Sequence, residues 1–296
     1  MEQITPPTSS KCVWIMSDTH FIEPEDLEIF YSALDDIQEL EVNLTGVWLL
    51  GDIVGGHDVK TLDKTAEIFV EHCESLGVPI CYVMGNHEMD IRRSKGINRF
   101  PIHEAALKRP NWHAACNLTD FYFSKEFLGH RVYFFGDHVA EDAGWFTSHG
   151  EVVSEGNAKY PHLPEGYVRL KEEMAHETLP IITAAHYAFP GGQRASGLLD
   201  HLLPLPKQVR VHLYGHGHIG DPIWNPIDTW EREHTVKGQD LMQYNISSFE
   251  TYRTPGSFSA LLFGGPDEDL DLWIRCHVEK RWVAHYVIPK AETKAV

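Results

Sequence analysis

Metal-capable side chains follow five apolar runs of the sequence, in each case directly after the run ends. The runs are residues 12–17, 46–50, 78–84, 179–185 and 209–214. The side chains after them are, in the same order, Asp18 and His20, Asp52, Asn86 with His87 and Glu88, His186, and His216 with His218. Open α/β sheets bind ligands beyond the carboxyl ends of their strands. We therefore expect the five loops to converge on one site.

The donors are carboxylate, amide and imidazole groups, without a thiolate. This set suits Mn²⁺, Fe or Zn²⁺ better than Ca²⁺ or a structural zinc site. Two Asp, one Asn and four His exceed what one ion with an open position would use, but they suffice for two ions if one carboxylate bridges. Two ions about 3.5–4 Å apart clamp the attacking and leaving oxygens of a phosphoryl displacement. We expect two divalent or trivalent ions as cofactors, Mn²⁺ or Fe in the first place, with Zn²⁺ as an alternative.

In their order along the chain, the motifs D-x-H, G-D, G-N-H-E, a lone His and G-H-x-H resemble those of the calcineurin-like metallophosphoesterase superfamily. They span residues 18–218. The resemblance implies a dinuclear phosphoesterase in which a metal-bound hydroxide attacks phosphorus. It implies that Asp18, His20 and His218 hold one metal ion, that Asn86, His186 and His216 hold the other, and that Asp52 bridges them.

His87 has a different role in this resemblance, as a general acid or a phosphate contact rather than a ligand. An imidazolium can protonate a departing oxygen near neutral pH. Asn86 is expected to contact the substrate phosphate beside His87. For Glu88, we expect hydrogen bonds to backbone near the site rather than a catalytic role.

The second motif departs from the protein-phosphatase pattern G-D-x-V-D-R-G. Gly55 and Gly56 stand where that pattern has Asp and Arg. A phosphate monoester dianion is normally gripped by a bidentate Arg, so the departure favours a small diester such as a cyclic nucleotide. His57 or Arg194 could replace the missing cation as a substrate contact, or each could be an ordinary surface residue.

Two aromatic residues, Tyr187 and Phe189, follow the candidate ligand His186. They could stack on a nucleotide base, but ordinary packing is the simpler expectation.

The elements that must position these loops alternate between strand-like and helix-like segments. Apolar spacing of three and four residues predicts helices over residues 24–40 and 62–76. We further expect a hairpin about Gly129 within residues 121–136, helices over 167–177 and 195–203, and strands over 240–247, 258–263 and two runs in 272–288. This β-rich tail is expected to supply a second sheet. The resemblance implies an α/β fold, a four-layer αββα sandwich of two mixed β-sheets flanked by helices, with the metal site at the carboxyl ends of the strands.

One domain over residues 11–289 accounts for this pattern. Residues 1–10 and 290–296 are expected to be loose tails. Residues 138–165 are rich in Gly, His and acids and lack periodicity, which indicates an active-site loop.

The composition of the chain limits the kinds of binding partner that we expect for it. The chain has 296 residues with 25 Lys and Arg against 43 Asp and Glu, a formal net charge of −18. This charge argues against an extended nucleic-acid surface or an anionic-membrane surface. No apolar stretch approaches the roughly 20 residues of a membrane span, and the first ten residues do not resemble a secretory signal.

The five cysteines are odd in number, dispersed and without C-x-x-C spacing, so we expect buried thiols and a cytoplasmic location. The expected partner is a small phosphoester; the oligomeric state is left open. A phosphomonoesterase, protein phosphatase or nuclease of the same superfamily is the alternative function. A non-catalytic protein-binding scaffold is the alternative from another class, and the complete ligand set argues against it.

Overall fold

The structure is a computed structural model. It describes residues 6, 10–55, 59–88, 101–115, 122–136, 163–189, 202–218, 231–236, 239–250, 256–265 and 267–290.

A seven-stranded mixed sheet forms one half of the described structure. Its strands are β1 (Lys11–Met16), β2 (Asn43–Leu50), β3 (Ile80–Val83), β4 (Trp112–Ala115), β11 (Phe258–Phe263), β12 (Leu270–Cys276) and β13 (Arg281–Ile288). They lie in the order β13-β12-β11-β1-β2-β3-β4. Strands β1 to β4 are parallel, whereas β11, β12 and β13 extend the sheet in antiparallel pairs.

A six-stranded mixed sheet forms the other half. Its strands are β5 (Tyr122–Phe127), β6 (His130–Phe135), β7 (Ile181–Ala185), β8 (Val209–Tyr214), β9 (Glu231–Val236) and β10 (Gln239–Asn245). The order is β5-β6-β7-β8-β10-β9, with β6, β7, β8 and β10 parallel and the two edge strands antiparallel.

Helices cover the outer faces of the two sheets. They are α1 (Leu27–Glu39), preceded by a 3₁₀ turn over Pro24–Asp26, α2 (Val59–Ser75), α3 (Pro101–Ala106) and α4 (Leu163–His176). Phe30 of α1 and Phe69 of α2 share a core with Trp14 of β1, while Leu170 and Met174 of α4 lie in another core with strands of the second sheet.

Strand β1 shows why its sequence is apolar at every position after Lys11. Trp14 and Met16 face the helices, whereas Val13 and Ile15 face the second sheet, and all four are fully buried. Successive residues of a strand point to opposite faces, and a strand covered on both faces needs apolar residues at every position. The expected αββα sandwich is confirmed.

Most of the expected elements are present near their expected bounds, including the hairpin about Gly129. The expectation that the tail forms the second sheet is wrong in part. Strand β10 joins that sheet, whereas β11 pairs with β1 and carries β12 and β13 into the first sheet. An apolar run indicates that a strand is buried but does not identify the strand with which it pairs, which explains the error.

Three short elements were not expected from the sequence, namely α3, β4 and β9. Residues 195–201 of an expected helix lie outside the described residues. Residues 137–162 also lie outside them, and the last three residues of the expected loop over 138–165 belong to α4. The single domain over 11–289, the active-site loop and the loose tails stay predictions.

A buried polar network fastens α1 to the first sheet. Arg275 donates from Nε and Nη2 to Asp36 at 2.9 and 2.6 Å. His277 Nδ1 lies 2.8 Å from Asp36 Oδ2, and its Nε2 lies 2.6 Å from Ser259 Oγ. Trp14 Nε1 donates to the same Ser259 Oγ at 2.7 Å. A consistent assignment puts a proton on Nδ1 of His277, so that its Nε2 accepts from the serine hydroxyl.

Candidate metal centre

The five loops predicted to converge do so at one end of the sandwich. The loop after β1 is tied to the loop after β2 by backbone hydrogen bonds from Asp18 N to Gly51 O and from His20 N to Asp52 O, each 3.0 Å long. Side chains from the loops after β1, β2, β3, β7 and β8 then meet within contact distance, as the distances below show.

Five of the predicted ligands have a left-handed backbone. The φ angles are 53° at Asp18, 49° at His20, 53° at Asp52, 60° at His216 and 46° at His218. This conformation is uncommon outside glycine, and residues held in it cluster at functional sites. The loops therefore aim these side chains at some cost in backbone energy.

One group of donors comprises Asp18, His20 and His218, whose nearest ligand atoms all lie within 4.8 Å of one another. Asp18 Oδ1 is 3.4 Å from His218 Nε2 and 3.9 Å from His20 Nε2. The rings of His20 and His218 are stacked with centroids 5.0 Å apart. The structure therefore brings together the three residues expected to hold the first ion.

The other group surrounds His186 Nε2. This atom lies 3.2 Å from each of Asp52 Oδ2, Asn86 Oδ1 and His216 Nδ1. The other ring nitrogen of His186 is 2.7 Å from the Leu50 carbonyl, which assigns its proton to Nδ1 and leaves the Nε2 lone pair for a ligand. The structure therefore brings together the residues expected to hold the second ion, and a carboxylate oxygen of Asp18 lies within 4.8 Å of the ligand atoms of Asp52, His186 and His216.

Asp52 lies between the two groups. Its Oδ2 is 3.2 Å from His186 Nε2 and 3.9 Å from His20 Nε2. Asp52 Oδ2, Asp18 Oδ1 and His20 Nε2 are all buried, and none has a hydrogen-bond partner among the described residues. Buried polar atoms are almost always partnered, so these three inward-facing atoms fit a site built for metal ions.

Burial and the neighbouring carboxylates together determine the pKa values of His20 and His186. Burial lowers the pKa of His20 to about 4, although the nearby carboxylates of Asp52 and Asp18 oppose the shift. Burial also disfavours charge on His186 and Asp52, but their mutual attraction outweighs it. The pKa of Asp52 lies well below its usual range, and that of His186 rises to about 10. A bound metal ion would displace the proton from His186.

Glu88 holds two ligand loops together. Its buried carboxylate accepts hydrogen bonds from the backbone N–H groups of Gly85, Asp52, Ile53 and Val54 at 2.7, 3.1, 2.7 and 3.2 Å. Burial and the neighbouring Asp52 charge raise its pKa. The expectation of a backbone-binding role for Glu88 is confirmed.

Glycines permit the close approach of the loops. A Cβ at Gly85 would overlap Asp52, and a Cβ at Gly215 would overlap Ser17 and lie 2.9 Å from Asp18 Oδ2. The backbone N–H groups beside them donate to the same carboxylates, from His87 N to Asp52 Oδ1 and from His216 N to Asp18 Oδ2, at 2.7 and 2.8 Å.

His87 lies at the edge of the centre and is partly exposed. Its ring packs edge-on against His20 with centroids 4.4 Å apart. A ring nitrogen of His87 also lies within 4.8 Å of ligand atoms of His20 and Asp52. Geometry alone therefore admits both a proton-transfer role and a ligand role.

The aromatic residues after His186 differ from each other. Phe189 is fully buried against His212, with ring centroids 4.6 Å apart, so stacking of Phe189 on a base is wrong. Tyr187 is half-buried and packs edge-on against His216 at 4.3 Å. His57 and Arg194, the possible replacement cations, lie outside the described residues.

Sequence reasoning missed three supporting residues. Ser17 Oγ donates to Asp18 Oδ2 at 2.7 Å, Asn245 Nδ2 donates to the Gly215 carbonyl at 2.7 Å, and Glu250 Oε1 lies 2.7 Å from His218 Nδ1. Asn245 ends β10 as a polar residue in a buried strand, which was a usable signal. Glu250 comes five residues after that strand, whereas the predicted ligands were sought directly after the apolar runs.

Comparisons with known proteins agree with this geometry. A family model described as calcineurin-like phosphoesterase matches residues 13–220. The structure resembles a dimetal phosphatase from Danio rerio, with a TM-score of 0.58, 13% identity and coverage of 96% of this chain and 99% of the other. It also resembles the purple acid phosphatase PPD1 from yellow lupin (Lupinus luteus) seeds, with a TM-score of 0.57, 13% identity and coverage of 97% of this chain and 55% of the other. No curated protein matches the sequence.

No helix of the described residues combines the length and the apolar character that a membrane span requires.

Proposed function

Because the chain belongs to the calcineurin-like phosphoesterase family and is a metal-dependent phosphoric ester hydrolase, we propose that it hydrolyses a small phosphate diester at a dinuclear centre. The observation that carries the proposal is the convergence of seven donor side chains from five loops, with three buried atoms that lack a hydrogen-bond partner among the described residues.

In this proposal Asp18, His20 and His218 hold one ion, Asn86, His186 and His216 hold the other, and Asp52 is shared. His216 would use its Nδ1, because this atom faces His186 Nε2. Bound ions of this kind neutralise phosphate charge and lower the pKa of water toward neutrality. Mn²⁺ or Fe is the proposed metal, because the donors are oxygen and imidazole nitrogen.

His87 is the proposed proton donor to the leaving-group oxygen. Its partial exposure lets it reach a substrate, and the hydrogen bond from its backbone N–H to Asp52 fixes its loop at the edge of the centre. With Asn86, it is also the proposed contact for the substrate phosphate.

The diester proposal rests on Gly55 and Gly56. At Gly55 a Cβ would meet the His20 backbone at 3.5 Å or more, which is ordinary contact. Crowding therefore does not require glycine at position 55, and the sequence has neither the acid nor the Arg that the phosphatase pattern carries at these two positions. Two metal ions can balance the single charge of a diester without that Arg.

A second candidate is phosphomonoester hydrolysis. The two similar proteins described above are both named as phosphatases, which favours this candidate. A protein-binding scaffold is disfavoured, because all seven ligand positions and His87 carry the residues that the chemistry needs.

The deciding experiment compares a matched pair of substrates with Mn²⁺. We expect a higher kcat/KM for bis(4-nitrophenyl) phosphate than for 4-nitrophenyl phosphate, and a shift toward the monoester in the Gly56→Arg variant. Cyclic nucleotides and other small nucleotides then identify the natural class. A wild-type preference of about tenfold or more for the monoester, which corresponds to ~1.4 kcal/mol or more, would overturn the diester proposal.

The proposed compartment is the cytoplasm, as the cysteine pattern predicts. Cys12, Cys73, Cys81 and Cys276 are buried, in keeping with the expected role of packing. Burial raises the pKa of the Cys12 thiol to about 12.

A further inference from the structure

A sixth loop, after β10, also reaches the metal centre. Its backbone is bound to the end of β1 by hydrogen bonds from Phe249 N to Ser17 O at 3.1 Å and from Glu250 N to Asp18 O at 3.2 Å. Ser248 Oγ donates to the same Asp18 carbonyl at 3.1 Å. The loop that carries Glu250 is thus fixed to the residue that supplies the first donor of the centre.

The Glu250 side chain is directed at His218. Glu250 is 3% exposed, and its Oε1 lies 2.7 Å from His218 Nδ1 in an ionic contact whose angles fall short of a hydrogen bond. Ser248 Oγ lies 3.4 Å from the same nitrogen, and because its hydroxyl donates to the Asp18 carbonyl, both groups beside Nδ1 are acceptors. The opposite ring nitrogen, His218 Nε2, lies 3.4 Å from Asp18 Oδ1. The carboxylate, the imidazole and the inward-facing Asp18 oxygen therefore form one continuous chain of contacts.

We infer that Glu250 is a positioning residue, which holds the proton of His218 on Nδ1 and aims the Nε2 lone pair at the ion bound by Asp18 and His20. A carboxylate that accepts from the outer nitrogen of a metal-binding histidine fixes its tautomer and ring orientation and raises its basicity. The inference rests on the metal assignment under the proposed function.

The other candidate metal position is supported differently. His186 has its Nδ1 against the neutral Leu50 carbonyl at 2.7 Å, whereas His218 has a carboxylate. Removing Glu250 should therefore weaken the ion at Asp18, His20 and His218 and leave the ion at His186 unchanged. This selectivity separates positioning from a general effect on folding.

The test is titration of Mn²⁺ into chelator-treated wild type, Glu250→Gln and Glu250→Ala, followed by calorimetry. Glu177→Gln is the matched control, because Glu177 is a partly buried acid bonded to Arg131 at 2.7 Å near the opposite ends of the strands. We expect two ions per chain in wild type and in the control. In Glu250→Ala, one of the two affinities should fall about 10–100-fold with the other unchanged.

The Gln variant sharpens the result, because it keeps the size and one acceptor oxygen but loses the charge. It should lose less affinity than Glu250→Ala, bind two ions at saturating Mn²⁺, and give a Co²⁺ absorption spectrum with unchanged coordination number. If the Ala variant fails to fold, Glu250→Gln carries the test alone.

Wild-type affinity for both ions in the Glu250 variants would overturn the inference and leave the metal centre standing. Loss of one ion from Glu250→Gln even at saturation would also overturn it, since that result makes Glu250 a direct ligand. A wild-type chain that binds no Mn²⁺ would overturn the inference and the proposed function together.

Discussion

Asp52 presents its two carboxylate oxygens to different partners. Oδ1 accepts the backbone N–H of His87, while Oδ2 faces His186 and His20 without a hydrogen bond from the described residues. One side chain therefore fixes the loop of the proposed proton donor and is shared by both donor groups.

The Asp52→Asn variant tests this dual role. The amide has one oxygen, so it can accept from His87 or face the ions, and it lacks the shared charge. We expect turnover of bis(4-nitrophenyl) phosphate to fall by several orders of magnitude and metal content to drop below two ions per chain. Asp271→Asn, at a partly exposed carboxylate bonded to His285, is the control and should behave as wild type. Two bound ions with near-normal turnover in Asp52→Asn would contradict the bridging assignment.

The His87→Ala variant distinguishes proton transfer from metal binding. A general acid contributes about 10²–10⁴-fold, so esters with poor leaving groups should slow by that factor. Activated nitrophenyl esters need less protonation and should slow less, with metal content unchanged. Loss of one ion would instead make His87 a ligand together with His20 and Asp52.

At the scale of elements, the centre depends on how closely the loops approach one another. The turn after β8 passes so near the end of β1 that a Cβ at Gly215 would overlap Ser17. The same turn sends the His216 N–H to Asp18. Chain geometry at the strand ends, as much as ligand identity, therefore determines the site.

Two Gly→Ala substitutions separate this crowding from ordinary helix-end effects. Gly77, after α2, has φ of 67° and nothing within 4 Å of an added Cβ. Gly77→Ala should cost about 1 kcal/mol of unfolding free energy and leave Mn²⁺ affinity unchanged. Gly215→Ala should cost more, about 1–3 kcal/mol, and weaken Mn²⁺ binding. Calorimetric titration and urea unfolding measure both, and equal Mn²⁺ affinities in the two variants would refute the crowding argument.

The sequence alone predicted the elements whose apolar pattern is strong and the candidate site residues that directly follow them. The strands before Asp18, Asp52 and His186 were located because their runs are almost entirely apolar. The strand with which each strand pairs is harder to predict from the sequence, since β11 has the same all-buried pattern whether it lies beside β1 or in the second sheet. Glu250 was missed because its role depends on a loop crossing between sheets, which no local spacing reports.

At the scale of the whole molecule, acidification acts on the contact between α1 and the first sheet. Burial alone would raise the pKa of Asp36, but hydrogen bonds from Arg275 and His277 outweigh it and lower the pKa to about 2. An acid with a depressed folded pKa stabilises the fold above its unfolded pKa and loses that contribution as pH falls through its folded pKa. Asp36 should therefore contribute about 2 kcal/mol at neutral pH, which is lost between about pH 4 and pH 2.

The Asp36→Asn variant tests this contribution. Removing the carboxylate leaves the Arg275 charge buried without its partner, so the variant should be less stable by about 3–5 kcal/mol at pH 7. The difference from wild type should shrink as pH falls from 4 to 2, because wild type then loses the same charge. Urea unfolding at a series of pH values measures it, and a difference independent of pH would contradict the role of Asp36.

The same network has a consequence for chemical labelling. Ser259, His277 and Asp36 are joined as hydroxyl, imidazole and carboxylate, the sequence of groups that activates the nucleophile of serine hydrolases. Here the hydroxyl is fully buried, and its oxygen also accepts the indole N–H of Trp14. Because Ser259 is buried, we expect a fluorophosphonate reagent, which reacts with activated serines, to leave it unlabelled in the folded chain. A search for such triads by geometry alone would select this network, yet the packed helix and sheet around it keep the serine inert.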